Sequence, residues 1–106
     1  MSYSRDEQTT LLSVALDSIN SGLHHGKPVR LNSADYSTPL AAQRASFVTL
    51  KHGETLRGCI GTLEARSSLV ESIADNAYAA AFSDPRFPAL DATEVEDLVI
   101  EVSVLS

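Results

Sequence analysis

One stretch carries the only cysteine of the chain together with an arginine and two glycines: Leu56-Arg57-Gly58-Cys59-Ile60-Gly61-Thr62. Successive side chains of a β-strand point to opposite faces, so Arg57 and Cys59 would share one face at a spacing of about 6.5 Å. A guanidinium at that distance favours the thiolate form of a cysteine where water is partly excluded. The alternative is that Cys59 packs as a small buried hydrophobic residue beside a solvated Arg57, which is the commoner behaviour of free cysteines.

The residues before the cysteine stretch predict the first strand of a β-hairpin. Residues 47–51 have the composition of a strand, and His52-Gly53-Glu54 would form a three-residue turn. Such a turn pairs Leu50 with Leu56 and keeps the apolar side chains together on one face. The face that carries Cys59 would then be flanked by an aromatic side chain and a hydroxyl from the first strand.

Two glycines, Gly58 and Gly61, lie close to the cysteine on the predicted second strand. Glycine permits a positive φ and a close approach of another backbone, so the two amides could be presented to an anion. The same two glycines could equally mark a β-bulge. Both interpretations are compatible with the sequence.

Two segments have the pattern of amphipathic helices. Ser4 and Glu7 have the S-x-x-E spacing of a helix start, and an apolar stripe follows up to Gly22, which we expect to cap the helix. Ser68 and Glu71 repeat this spacing ahead of a second, alanine-rich stripe. Alanines allow a helix to approach a sheet closely, so we interpret them as packing residues.

The segment between the first helix and the hairpin, residues 23–45, predicts a loop because it contains two prolines, a glycine and several Asn, Ser and Asp residues. A loop of this length inside a small domain is either a functional cover over a site or an exposed surface loop. His24 and His25 are adjacent, with no cysteine or carboxylate at ligand spacing, so we expect no metal site there.

The segment Asp84-Pro85-Arg86-Phe87-Pro88 ends the second helix, since proline disfavours helical geometry in the residue before it. Two prolines also stiffen the exit from the helix. Stiffness would be useful if Asp84 and Arg86 had to be held at a site. Alternatively, the two side chains form an ordinary ion pair and Phe87 fills a gap in the core.

The end of the chain predicts a strong strand, because apolar residues alternate with a more polar set over residues 98–105. Alternation of this kind is typical of a strand with one buried and one partly wet face. We therefore expect an α+β fold, with a mixed or antiparallel sheet that contains a hairpin and is covered by two main helices. A length of 106 residues suits one domain, residues 1–106.

Charge and composition argue against several classes of protein. The formal net charge of −6 disfavours binding to phosphate backbones and to anionic membrane surfaces. A single cysteine cannot form an internal disulfide, which fits a reducing, cytoplasmic setting. The N-terminus has no uninterrupted apolar run typical of a signal peptide, and no segment reaches membrane-spanning length. We therefore expect a cytoplasmic protein without a membrane contact.

Four blocks of the sequence, in their order and spacing, resemble the AMMECR1 domain family: Phe47-Val48-Thr49-Leu50, Leu56-Arg57-Gly58-Cys59-Ile60-Gly61, Asp84-Pro85-Arg86-Phe87-Pro88 and Glu101-Val102-Ser103-Val104-Leu105. The resemblance extends from the first helix to the last strand. Its most specific part is the second block, with its Arg-Gly-Cys-Ile-Gly motif, followed by the third block.

The resemblance implies an α+β fold but no settled biochemical activity. In prokaryotes the family is associated with Memo-type and radical-SAM proteins, which suggests a modification pathway. The family domain continues well beyond the strand that ends this chain, so the chain resembles the N-terminal part of such a domain. The last strand would then lack a sheet neighbour and could promote self-association. Six residues match the two most specific blocks: Arg57, Gly58, Cys59 and Gly61 in the second block, and Asp84 and Arg86 in the third.

These residues support three hypotheses of function. In a thiol-dependent enzyme or enzyme subunit, Cys59 is the nucleophile, Arg57 favours its thiolate, and the amides of Gly58 and Gly61 hold a developing anion. In a binding module, the same face and the segment with Asp84 and Arg86 recognise a protein or a small anionic ligand without turnover. Nucleic-acid binding ranks last because of the negative net charge. No cofactor follows from these residues.

Overall fold

A computed structural model describes residues 3–105. The main helices are α1, Arg5–His25, and α3, Leu69–Phe82, with a short helix α2, Thr38–Ala41, between them. The strands are β1, Ala45–His52, β2, Thr55–Gly61, and β3, Leu98–Leu105, which form an antiparallel sheet in the order β2-β1-β3. The expected α+β fold, with a hairpin and two main helices against the sheet, is confirmed.

The first helix begins as predicted and ends later than predicted. The Ser4 side chain accepts from the Glu7 amide, and the Glu7 carboxylate accepts from the Ser4 amide, each at 3.0 Å. Gly22 does not cap the helix, because α1 continues to His25 and is capped by Gly26 in the left-handed conformation, φ 69°. Gly22 instead allows the ring of Phe82 on α3 to pack closely, since a Cβ at Gly22 would overlap that ring.

The hairpin has a different register from the predicted one. The turn has two residues, with Gly53 at φ 61°, and the pair next to the turn is His52 with Thr55. A bulge then inserts Arg57, so that Leu50 pairs with Gly58 and not with Leu56. The shorter turn alone would pair Leu50 with Arg57, and the extra residue moves that pair on to Gly58. The apolar residues of β1 therefore still face the helices, although the predicted three-residue turn is wrong.

The segment after α1 is more ordered than a loop. It contains a 3-10 helix over Ser33–Asp35 and the helix α2, whose Leu40 is buried. The segment is tied to the main helices: Ser37 Oγ donates to a Glu7 carboxylate oxygen at 2.8 Å, and the Tyr78 hydroxyl donates to the Gly26 carbonyl at 3.0 Å. Within residues 26–40, the hydrogen bonds to other elements reach α1 and α3 and none reaches β2.

Three buried polar side chains lie between α3 and the centre of the sheet. Ser46 Oγ and Ser72 Oγ lie 2.7 Å apart and share a hydrogen bond. Asn76 Nδ2 donates to the Ser46 carbonyl and to Ser46 Oγ, both at 3.1 Å. All three residues are buried, so these hydrogen bonds give their polar groups the partners that water would otherwise supply.

The other face of the sheet is open among the described residues. Along β3, the exposed side chains of Val99, Glu101 and Ser103 alternate with half-buried ones, which confirms the predicted alternation. Lys51 Nζ contacts a Glu101 carboxylate oxygen at 3.3 Å on the neighbouring strands. No helix within residues 3–105 is long and apolar enough to cross a membrane.

Candidate functional site

Two side chains bind the main chain of Cys59 at the outer edge of β2. The Cys59 amide donates to Asp84 Oδ2 at 3.0 Å. Arg86 Nη2 donates to the Cys59 carbonyl at 3.3 Å. Both main-chain groups of Cys59 therefore face away from β1, and Asp84 and Arg86 supply the hydrogen bonds that another strand would make at this point.

Asp84 and Arg86 are themselves held together by several hydrogen bonds. Arg86 Nε donates to Oδ1 at 3.0 Å and Arg86 Nη2 to Oδ2 at 2.8 Å, while the Arg86 amide also donates to Oδ1 at 3.1 Å. The Arg86 guanidinium and, after it, the Cys59 amide hold the pKa of the Asp84 carboxyl well below its usual range. Asp84 is 4% exposed, so this charge is both buried and fully hydrogen-bonded.

The remaining surface of Arg86 is accessible. Its side chain is 56% exposed, and its guanidinium carbon lies 5.4 Å from the centre of the Phe87 ring. Phe87 is only half-buried, and Leu90, 4% exposed, is the residue of this segment that joins the core. The segment thus forms an ion pair, as one interpretation of the sequence expected, and it also brings Asp84 and Arg86 to Cys59.

Cys59 is half-buried, and its thiol is contacted by a hydroxyl from β1. Thr49 lies directly across the strand pair from Cys59, and Thr49 Oγ1 is 3.3 Å from Cys59 Sγ, within hydrogen-bond distance for sulfur. The predicted hydroxyl neighbour is therefore present. The aromatic residue of that strand, Phe47, pairs with Gly61.

Arg57 is engaged by a different partner. Its Nε and Nη2 donate to the two carboxylate oxygens of Glu94, at 2.7 and 3.1 Å. This bond raises the pKa of Arg57 and lowers the pKa of Glu94. His52 Nε2 also lies 3.2 Å from the Glu94 carbonyl. Among the described residues, no hydrogen bond joins Arg57 to Cys59, because the bulge breaks the alternation that was expected to place them on one face.

Packing explains both glycines of the cysteine stretch. A Cβ at Gly58 would overlap the Ala80 carbonyl of α3, and a Cβ at Gly61 would overlap the Phe47 ring. Gly58 pairs with Leu50 in the position where an antiparallel pair exchanges its main-chain hydrogen bonds, so its amide belongs to the sheet. Gly61, like Cys59, has its amide on the outer edge of β2.

Glu94 is the site residue that the sequence analysis missed. A signal was present, because Asp91 and Glu94 have the D-x-x-E spacing of a capping box, and this box forms at the 3-10 helix Ala92–Asp97. The spacing predicts the local cap but not the contact with Arg57, which joins residues 37 positions apart. Within residues 3–105, no group of three or more His, Cys, Asp or Glu side chains has the arrangement of a metal site.

Comparison with known sequences identifies one family. The family model AMMECR1 matches residues 12–106. A protein of Methanococcoides burtonii is 42% identical over 106 residues, covering 100% of this chain and 51% of that protein. A protein of Sulfolobus acidocaldarius is 44% identical over 101 residues, covering 91% of this chain and 43% of that protein. The chain spans about half the length of the curated relatives it matches.

A solved structure has the same fold. The crystal structure of the uncharacterized protein PH0010 from Pyrococcus horikoshii superposes with a TM-score of 0.83 at 35% sequence identity. The match covers 92% of this chain and 50% of that protein. The two proteins therefore share their fold over the matched residues.

Proposed function

The chain belongs to the AMMECR1 family, and on that premise we propose that it is a thiol-dependent enzyme or enzyme subunit with the Cys59 thiol as its reactive group. One observation supports this proposal above the others. The main chain of Cys59 is fixed by Asp84 and Arg86, while the residue as a whole is only half-buried. A reactive group needs both a fixed position and access for a substrate.

We assign the other residues of the site by the atoms that they contact. Asp84 is a positioning residue, since its carboxylate is fully used in holding Cys59 and Arg86. The exposed guanidinium of Arg86 would bind an anionic group of the substrate. Arg57 would act through Glu94, by holding the bulge that precedes Cys59. The outward amide of Gly61 would be available to an anion, whereas the amide of Gly58 is used in the sheet.

The proposed partners follow from the family resemblance, and the proposed location follows from the use of cysteine. Memo-type and radical-SAM proteins would act with this chain in a modification pathway. A second proposed contact is self-association through β3. We also propose a cytoplasmic location, because a single half-buried cysteine suits a reducing compartment.

The rate of Cys59 alkylation tests the enzyme proposal, since the chain has no other thiol. If Cys59 is the reactive group, we expect iodoacetamide to modify it faster in native buffer than in denaturant at neutral pH, since catalytic cysteines are more nucleophilic in the folded site than in the unfolded chain. Arg86→Ala should slow the native reaction, whereas Arg30→Ala, an exposed arginine in the segment tied to the helices, should not. A native thiol that reacts more slowly than the denatured one would overturn the proposal.

A non-catalytic binding module is the second candidate, and the exposed face of Arg86 favours it. The guanidinium lies above the Phe87 ring at the surface, an arrangement that suits an anionic ligand or the acidic side chains of a partner. In that case a bound partner is retained by Cys59→Ser and lost with Arg86→Ala. In an enzyme, by contrast, Cys59→Ser would abolish turnover while the fold is retained.

A further inference from the structure

A row of polar side chains crosses the sheet from Cys59. Gly58 meets α3 and Ile60 packs against the core, so Cys59, which lies between them on β2, is on the sheet face away from the helices. Thr49 of β1 lies directly opposite Cys59, and Glu101 of β3 lies directly opposite Thr49. The three side chains therefore stand side by side on one face, with the hydroxyl in the middle.

The Thr49 hydroxyl has one hydrogen to donate and two acceptors beside it. On one side is Cys59 Sγ, at 3.3 Å from Thr49 Oγ1. On the other side is Glu101, whose Cβ lies about 4.5–5.5 Å from that of Thr49, as in any directly opposed pair. A carboxylate is a much stronger acceptor than a thiol sulfur, so a Glu101 carboxylate without another partner would take the hydrogen.

Lys51 holds the Glu101 carboxylate instead. It follows Thr49 by two residues on β1, which places both on the same face, and Lys51 Nζ lies 3.3 Å from Glu101 Oε2. Within the described part of the chain, Thr49 Oγ1 forms a hydrogen bond with Cys59 and none with Glu101. The ion pair thus leaves the hydrogen of the hydroxyl available to the sulfur.

We propose that Lys51 is a positioning residue for Cys59, on which it acts through Glu101 and the Thr49 hydroxyl. While Lys51 holds Glu101, the hydroxyl donates its hydrogen to the sulfur and stabilises the thiolate. Once Glu101 is released, the hydroxyl donates to the carboxylate and accepts the hydrogen of the thiol, which favours the protonated form. This inference rests on the proposed role of Cys59 as the reactive group and names the residues that regulate its protonation.

A direct effect of charge is the alternative route from Lys51 to Cys59. The side chains of Lys51 and Glu101 are 32% and 52% exposed, so water screens their charges at the sulfur. A hydrogen bond, by contrast, acts only through contact. The two routes are distinguished by whether the effect of Lys51 requires the Thr49 hydroxyl.

The pH profile of Cys59 alkylation by iodoacetamide in native buffer measures how each residue affects the thiol. Thr49→Val removes the hydroxyl at nearly constant shape. It should move the midpoint of the profile upward by about 0.5–1 pH unit, the size expected for one lost hydrogen bond. Thr49→Ser keeps a hydroxyl and should have the wild-type midpoint. A wild-type midpoint in folded Thr49→Val would refute the proposal.

Lys51→Met should raise the midpoint by a similar amount, because it frees Glu101 to compete for the hydroxyl. Lys27→Met is the matched control, since it removes the only other lysine and the same charge, and it should leave the midpoint unchanged. In the double variant of Thr49→Val with Lys51→Met, the midpoint should equal that of Thr49→Val alone. An equal effect of Lys51→Met with and without the hydroxyl would mean that the charge acts directly, contrary to the proposal.

A second double variant tests Glu101 without requiring that Thr49→Val folds. Glu101→Ala removes the competing acceptor, so Lys51→Met combined with Glu101→Ala should return to the wild-type midpoint. A midpoint that stays raised would contradict the role of Glu101. Circular dichroism establishes that each variant is folded. These comparisons are between native proteins, whereas the proposed function is tested by native against denatured rates, so the two can fail separately.

Discussion

At the scale of single residues, Asp84 has the most specific role in the site. Its carboxylate accepts hydrogen bonds from the Cys59 amide, from the Arg86 amide and twice from the Arg86 guanidinium. The thiol of Cys59 is therefore attached to a main chain that cannot shift without breaking two charge-assisted hydrogen bonds, one to Asp84 and one from Arg86. Asp84 connects the two most specific of the four blocks of sequence that carry the family resemblance.

The pKa of Asp84 gives a prediction for stability against pH. Its pKa is lowered in the folded protein, so its contribution is present above the unfolded value of about 3.9 and is lost as the pH falls through the folded value. Asp84→Asn should therefore lower the free energy of unfolding at neutral pH, and the difference from wild type should shrink in strong acid. Urea denaturation at about pH 7 and about pH 3 measures both differences. A difference that does not change with pH would contradict the assignment.

At the scale of elements, the contact between Arg57 and Glu94 joins the bulge of β2 to the 3-10 helix Ala92–Asp97. The Arg57 side chain is 11% exposed, and its Nη1 is buried with no hydrogen-bond partner among the described residues. Water cannot readily take the place of Glu94 in such a contact. The contact therefore fixes the segment that leads into β3.

Glu94→Ala should destabilise the protein by about 1–3 kcal/mol, because it leaves a buried guanidinium without its partner. It also removes the acceptor for the Asp91 amide in the capping box. Glu96→Ala is the matched control, since Glu96 lies in the same 3-10 helix and is exposed, and its cost should stay within about 0.5 kcal/mol. The two variants are compared by urea denaturation. Similar costs for both would show that the contact with Arg57 does not contribute to stability.

Elements that depend on local chemistry were predictable from the sequence. The start of α1 follows from a capping box, and β3 follows from alternation, because the residues that decide these features are neighbours in the chain. The end of α1 was not predictable. Glycine is the usual residue of a helix cap, but Gly22 is needed for the close contact with Phe82, which lies on a helix distant in the sequence. The same holds for the bulge at Arg57, which depends on how β2 fits against both β1 and the segment with Glu94.

At the scale of the whole molecule, the sequence predicted the fold class and the residues that lie near Cys59. It predicted less well which contacts those residues make with one another. Composition, period and turn residues determine which elements form, and these are local properties. The neighbours of Cys59 come from two other parts of the chain: Thr49 from β1, and Asp84 and Arg86 from the segment after α3. Their meeting depends on the antiparallel register and on the exit from α3, which one sequence does not determine.

The buried trio of Ser46, Ser72 and Asn76 has a consequence for the molecule as a whole. An alanine-rich helix on a sheet could shift along its axis at little cost, because one small side chain fits much like the next. Moving α3 by one turn, about 5.4 Å, would separate these hydrogen-bonding groups and leave them unsatisfied in the interior. The trio thus sets the axial position of α3. Gly58 fits against Ala80 only at that position. The trio, which lies between α3 and the opposite face of the sheet, therefore helps to determine where the neighbouring Cys59 is placed.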